Sequence, residues 1–340
     1  MARPLRIEAA GMWYHVMSRG VLRKEIFTTD EDYYKFLNLL VDNCERYNVE
    51  IHSYVLMPNH FHFFLKTNEA NLSRFMHSQL TTYTVWFNHK NERVGHLFQG
   101  RYKSIIVETN SYGTEITRYI HLNPIRIKEN NQLSLREKRR ILKRFKWSSY
   151  PAMIGLKPAN PFLQIHDTLE NFGDDYTEQV KGYIKFIDEG IKKGTENPMN
   201  KTVGQVVLGE KEFVRKIKRM LIKNIENEPK QINKVQNSVR RIVSYPIERI
   251  FDVVCKEYDV DVQIILKNGK GSINHEARQV TFYLASKYCS GLITYNKIGK
   301  LMGCKSGSSV TMAIKRINKL IRKDIKLKDK LSRLENKIIE

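Results

Sequence analysis

Two short apolar runs, VEIHSYVL (49–56) and HFHFFLK (60–66), are separated only by Met57, Pro58 and Asn59. Runs of that length bounded by turn residues are strands, and a Met-Pro-Asn link leaves room only for a tight reversal. The chain must therefore form an antiparallel hairpin here, and its neighbours must build on that pair. Upstream, MWYHVMS (12–18) is a further strand, and TTDEDYYKFLNLLVDNCERYN (28–48) has helical spacing of Phe36, Leu39 and Leu40 behind Thr29 or Asp30 as cap. Downstream, NLSRFMHSQLTTYTVWFNHKN (71–91) is a second helix and KSIIVE (103–108) a strand. SYGTEITRYIHLN (111–123) is a helix stopped by Pro124. The order strand, helix, strand, strand, helix, strand predicts an α+β fold: a ferredoxin-like antiparallel sheet, helices on one face, the other face open for a site.

Residues 1–130 form this core, and 131–200 read as a helical, irregular extension. A charged helical linker, 201–240, contains KEFVRKIKRMLIKNIENEP (211–229). Residues 241–340 form an all-α domain, with helical patterns at 246–258, 274–289, 294–302 and 307–323. Lysine and arginine number 58 against 36 acidic residues, a formal net charge of +22, which points to a polyanionic partner. Cys44, Cys255, Cys289 and Cys304 lie far apart without a CxxC pair, so neither a zinc knuckle nor a disulfide framework is expected. With no apolar stretch of signal-peptide or membrane-spanning length, the expectation is a soluble cytoplasmic protein without a membrane partner.

In a strand, His60 and His62 project to one side and Phe61 and Phe63 to the other, the imidazoles about 7 Å apart along the strand. Two such rings can converge on one cation. A histidine-triad hydrolase would need a third alternate histidine where Phe64 stands, and no second His-x-Ser/Thr motif completes a two-histidine phosphoesterase. Further ligands must come from elsewhere, and RYIHLNPIR (118–126) offers them. Tyr119 and Asn123, four residues apart, share a helix face, with Asn123 at the helix end before Pro124. A tyrosine hydroxyl is a competent nucleophile toward a polarised phosphodiester. Two imidazoles with an amide oxygen suit Mg²⁺ or Mn²⁺. Taken singly, each residue is as well explained by sheet or helix packing; their joint occurrence favours chemistry.

PNHFHFF, RVGHLFQGRYKS (93–104) and TRYIHLNPIR, with YHVMSRG and WSSY (147–150), resemble the REP-associated tyrosine transposases, single-tyrosine members of the HUH endonuclease superfamily, over about residues 5 to 195. The resemblance implies His60 and His62 as the metal-binding pair, Asn123 as third ligand and Tyr119 as nucleophile. It implies cleavage of single-stranded DNA beside a hairpin, with the tyrosine joined to the 5′-phosphate and a free 3′-OH left to rejoin strands. Arg101, Tyr102, Lys103 and Arg126 are candidate phosphate or base contacts, as is Arg19 after the first strand. His15 is either structural or a neighbour of the metal pair, and His121 points elsewhere on its helix. A homodimer is left open, and association with the nucleoid is expected.

ARQVTFYLASKYCSGLITYNKIGKLMGCKSGSSVTMAIKRINKL (277–320) has a helix–turn–helix pattern and resembles the DNA-binding C-terminal domain of the replication initiator DnaA, extending upstream to IERIFDVVCKEYDV (247–260). The initiator's Arg-Asp-His-Thr-Thr-Val is replaced by KSGSSV (305–310): Lys305, Ser308, Ser309 and Val310 keep similar chemistry, while Ser306 and Gly307 lose the acid and the imidazole. Duplex binding through Lys305, Ser308, Ser309, Lys315 and Arg316 is implied, though not of the initiator's own box. No Walker A motif is present, so no ATPase is expected. The closing IRKDIKLKDKLSRLENKIIE is expected as an exposed basic helix that either covers the bundle or touches phosphate. The leading expectation is a metal-dependent DNA strand transferase. The alternatives are a non-catalytic DNA-binding regulator on the same core, or a plasmid or phage replication initiator using the same chemistry.

Overall fold

The computed structural model describes residues 7–127, 130, 132–194, 197–227, 244–266, 272–289, 293–321 and 324–339, and the chain divides after Glu210 into two compact units. In the first, β1 (Met12–Arg19), α1 (Asp30–Tyr47), β2 (Val49–Met57), β3 (His60–Thr67), α2 (Leu72–Lys90), β4 (Lys103–Val107) and α3 (Thr109–His121) follow the expected order. The sheet runs β2-β3-β1-β4-β5, its first three pairings antiparallel. The added strand β5, Val207–Leu208, lies parallel to β4. It falls in the stretch expected as linker, because two residues are too few to show a strand period.

The helices occupy both faces, not one. Phe61 and Phe63 stack under α1 against Phe36, with ring centroids 5.3 and 6.1 Å away, and Tyr83 of α2 joins them 4.9 Å from Phe36. Phe64 points the opposite way, as strand alternation requires. There Ile116 and Ile120 of α3 pack against it with Val55, Ile105 and Val107. The face bearing His60 and His62 is thus partly roofed by the helix that carries Tyr119.

Thr29 caps α1 in a capping box with Asp32, whose buried carboxylate accepts from the Thr28 and Thr29 amides and, at 2.7 Å, from Lys90. Burial alone would raise the Asp32 pKa, but these hydrogen bonds outweigh it and hold it below the usual carboxylate range. A depressed folded-state pKa contributes stability above the unfolded value that is lost as pH falls through the folded one. Asp32→Ala should therefore cost about 1–2 kcal/mol near neutrality. In urea unfolding at several pH values, the gap from wild type should narrow on acidification.

α3 is also tied to the extension. The buried His121 ring sits 2.5 Å from the Tyr183 hydroxyl and 2.6 Å from that of Ser149, above a core of Leu122, Leu142, Tyr150, Met153 and Ile187. Burial lowers its pKa to about 3, so His121 is a neutral structural link that fixes the end of α3.

The second unit contains the helices Lys211–Asn227, Ile247–Tyr258, Val262–Leu266, Ser272–Tyr288, Tyr295–Leu301, Ser308–Ile321 and Ile325–Ile339. Val254, Val280, Leu284, Ile298, Val310 and Ile317 form its core. The buried Arg278 guanidinium donates to the carbonyls of Ile265 and Met302, fastening the turn before the Ser308–Ile321 helix. The last helix buries Leu327, Leu331, Leu334 and Ile338, so it covers the bundle with one face. The polar part of the expected linker, 228–243, lies outside the described residues. Among the described residues, no helix is long and apolar enough to cross a membrane.

Candidate active site

The β1–β3 register sets Arg19 opposite His60, Met17 opposite His62 and His15 opposite Phe64, so these side chains share one face. The His60 and His62 ring centroids are 5.2 Å apart and the rings nearly perpendicular. Tyr119 reaches down from α3 with its ring 5.7 Å from His62 and 5.9 Å from His15, edge-on to both. Two distant segments of the sequence thus meet in one patch. Asn123 follows one turn on, opening the short 3₁₀ turn Asn123–Ile125 where the sequence suggested the end of α3 itself. Its amide nitrogen donates to the Tyr119 carbonyl at 2.9 Å and that of Ile120 at 3.3 Å, and its oxygen faces His60 as a hydrogen-bond acceptor.

His60 Nδ1 lies 2.7 Å from Asn59 Oδ1, an oxygen that can only accept, so the proton sits on Nδ1 and the lone pair on Nε2. Burial lowers the His60 pKa, partly opposed by Asn123 and assisted by Arg19. It lowers that of His62 further, assisted by His15, His60 and Arg126. Both imidazoles are therefore neutral at physiological pH, the form that binds a cation. Two imidazoles and an amide oxygen, with hydrogen bonds orienting His60 and Asn123, form a donor set that fits a divalent cation. Burial raises the Tyr119 pKa, against the pull of Arg126, whose guanidinium lies 4.5 Å from the phenol ring centre. Arg126, expected as a DNA contact, is thus placed over the tyrosine.

A cavity of about 480 Å³ opens beside His60 and His62, walled by Arg19, Arg23, Arg101 and Lys103 with no carboxylate in its lining. Arg19 is steadied by a 2.6 Å hydrogen bond to Gln99. Tyr102 turns inward, 6% exposed, with its hydroxyl 3.2 Å from that of Ser73. Sequence reasoning missed Arg23, held with Leu22 in left-handed backbone at φ 61° and 53°. Its signal was the cationic loop beginning at Arg19.

Among the described residues, the trio of His, Cys, Asp or Glu spaced closely enough for one ion is Glu50, His52 and Asp167. Its carboxylates address different nitrogens of the His52 ring, each at 3.7 Å, and Glu50 is already engaged by Lys66 at 3.3 Å and Asn68 at 2.7 Å.

In the second unit, Lys305, Ser308, Lys315 and Arg316 are exposed and Ser309 half-buried, on or just before the Ser308–Ile321 helix. Arg316 lies 2.7 Å from the His275 ring. The preceding turn is tight: a Cβ on Gly299 would meet the Ser306 carbonyl oxygen at 2.5 Å, so only glycine fits.

Residues 8–123 match the family described as Transposase IS200 like, and residues 247–317 the family described as Bacterial dnaA protein helix-turn-helix. The chromosomal replication initiator protein DnaA of Mesoplasma florum is 30% identical over 138 residues, covering 37% of this chain and 31% of the relative. That of Campylobacter jejuni subsp. jejuni is 28% identical over 93 residues, covering 27% of this chain and 21% of the relative. The chain thus spans less than a third of the length of these curated relatives. A solved structure of a REP-associated tyrosine transposase bound to a REP hairpin aligns at 16% identity with a TM-score of 0.37, over 48% of this chain and 95% of the other. Two separate parts of the chain are thus similar to known families, residues 8–123 to the IS200-like transposases and residues 247–317 to the DnaA helix–turn–helix.

Proposed function

We propose that the transposase domain cleaves and rejoins single-stranded DNA beside a hairpin through a covalent bond between Tyr119 and a 5′-phosphate. The observation that carries this reading is the packing of Tyr119 against His62, whose ring with that of His60 lines a cavity walled by cations. Arg19, Arg23, Arg101 and Lys103 hold the strand by its phosphates. The Tyr119 oxygen attacks phosphorus in line, and the bond from phosphorus to the 3′-oxygen breaks. The phenolic proton leaves to water, and the departing 3′-oxygen takes one up as a free hydroxyl. The reverse attack by a 3′-OH rejoins strands, since the phosphotyrosine conserves the bond. Bound by His60, His62 and Asn123, Mg²⁺ or Mn²⁺ would polarise the phosphate and offset charge on its oxygens. Arg126, over the phenol, favours the phenolate both as attacking group and as leaving group.

The test uses the full-length protein with Mn²⁺ and single-stranded hairpin DNA from beside its own gene. A denaturing gel should show protein joined to the 5′ end of the downstream fragment, and peptide mapping should place the link on Tyr119. A link elsewhere removes Tyr119 as nucleophile. Tight binding without any adduct would favour the non-catalytic regulator.

The second domain is proposed to grip duplex DNA with the Ser308–Ile321 helix. Lys315→Ala should weaken duplex binding similarly across sequences and reduce the salt slope by about one, leaving single-strand cleavage unchanged. Fluorescence anisotropy across a salt series measures both. An unaltered slope would take Lys315 out of phosphate contact.

A further inference from the structure

His15 is fully buried, and its one hydrogen-bonding contact among the described residues is with His62: Nε2 to Nδ1 at 2.9 Å. Its other nitrogen, Nδ1, has no partner among them. A buried imidazole with an unmatched nitrogen is costly where an apolar ring would pack without penalty, so its presence calls for a reason.

One proton lies between the two facing nitrogens, and it has two placements. On His62 Nδ1, it leaves His62 Nε2 with a bare lone pair and makes His15 the acceptor. On His15 Nε2, it makes His62 Nδ1 the acceptor, so the His62 proton moves to Nε2 and no lone pair remains there. Neither placement changes the charge of either ring, and the first puts His15's own proton on its unpartnered Nδ1, a cost that the bond from His62 Nε2 to a cation offsets. Only the first lets His62 ligate through Nε2. At His60 an amide oxygen plays the accepting part: Asn59 Nδ2 donates to the Arg23 carbonyl at 3.3 Å, which turns Asn59 Oδ1 toward His60 Nδ1.

We propose that His15 is a positioning residue that accepts the Nδ1 proton of His62 and so holds Nε2 bare for a divalent cation. This rests on the reading of His60 and His62 as the cation ligands. Without an acceptor at position 15, a buried Nδ1–H would go unsatisfied, and the ring would shift its proton to the edge that should ligate.

The test compares wild type, His15→Phe, His15→Gln and His60→Ala, all full-length, by electron paramagnetic resonance titration of Mn²⁺. His15→Phe, which keeps the ring volume and loses the acceptor, should bind Mn²⁺ about 10- to 100-fold more weakly. His15→Gln, whose amide oxygen can accept, should stay within about threefold of wild type. Long-range proton–nitrogen NMR of Mg²⁺-saturated wild type should show His62 protonated at Nδ1 and bare at Nε2, a readout independent of whether any variant folds. A proton on Nε2, or wild-type Mn²⁺ affinity in a folded His15→Phe protein, overturns the inference. If His60→Ala binds Mn²⁺ as wild type does, the cation site itself is misplaced. If His60→Ala loses binding while His15→Phe keeps it, only the role of His15 fails.

Discussion

Tyr119→Phe should abolish the covalent protein–DNA adduct and lower strand cleavage by on the order of 10⁴-fold or more, the scale on which loss of a nucleophile is felt. Binding of the uncleaved strand should stay within about twofold, because the change removes a group used only in the reaction. The substitution is a clean one here. Phenylalanine keeps the ring that packs 5.7 Å from His62 and 5.9 Å from His15, and keeps the surface under Arg126. Only the oxygen is lost. Denaturing gels for the adduct, single-turnover cleavage rates and anisotropy for binding separate these effects. Cleavage persisting within tenfold of wild type would mean that water or another side chain attacks the phosphate.

His60→Ala should lower cleavage by on the order of 10³-fold and abolish tight Mn²⁺ binding, since it removes both a ligand and the charge that ligand helps to place. His60 is the better choice of the two histidines: it is part-exposed at the cavity mouth, whereas His62 is 6% exposed and wedged between His15 and Tyr119. Truncating His62 would leave a gap in a packed cluster and mix stability with chemistry. The two variants are diagnostic together. Tyr119→Phe should bind Mn²⁺ normally and form no adduct, while His60→Ala should lose both. Cleavage at the wild-type rate by His60→Ala in Mg²⁺ would remove the cation from the reaction.

The hairpin at Met57–Asn59 and the strand and helix order were legible because local periodicity and a proline turn fix them. Residue alternation also put His60 and His62 on the face opposite Phe61 and Phe63 without any structure. What covers that face was not legible, since strand periodicity marks which side chains share a side and not which helix packs there; α3 took the side expected to be open. The position of His15 depends on strand register, set by pairing between segments more than forty residues apart, so its parity with His62 could be suspected but its contact could not. A tyrosine between Arg101 and Lys103 reads as a stacking platform, whereas the phenol of Tyr102 turns into the protein toward Ser73, which sequence spacing does not show. In the second unit, the helix spacing was plain, and the glycine at 299 acquired its reason only when the turn carrying Ser306 was seen to approach its backbone.

The parallel pairing of Val207–Leu208 with Ile106–Val107 bears on where this domain can be cut. The family match ends at residue 123, but a fragment stopped there would leave the outer side of β4 with unsatisfied amides and carbonyls, an invitation to self-association through the sheet. It would also strip His121 of both its hydroxyl partners. A piece that keeps both contacts and ends with the compact unit therefore runs on through Glu210, eighty-seven residues past the family boundary.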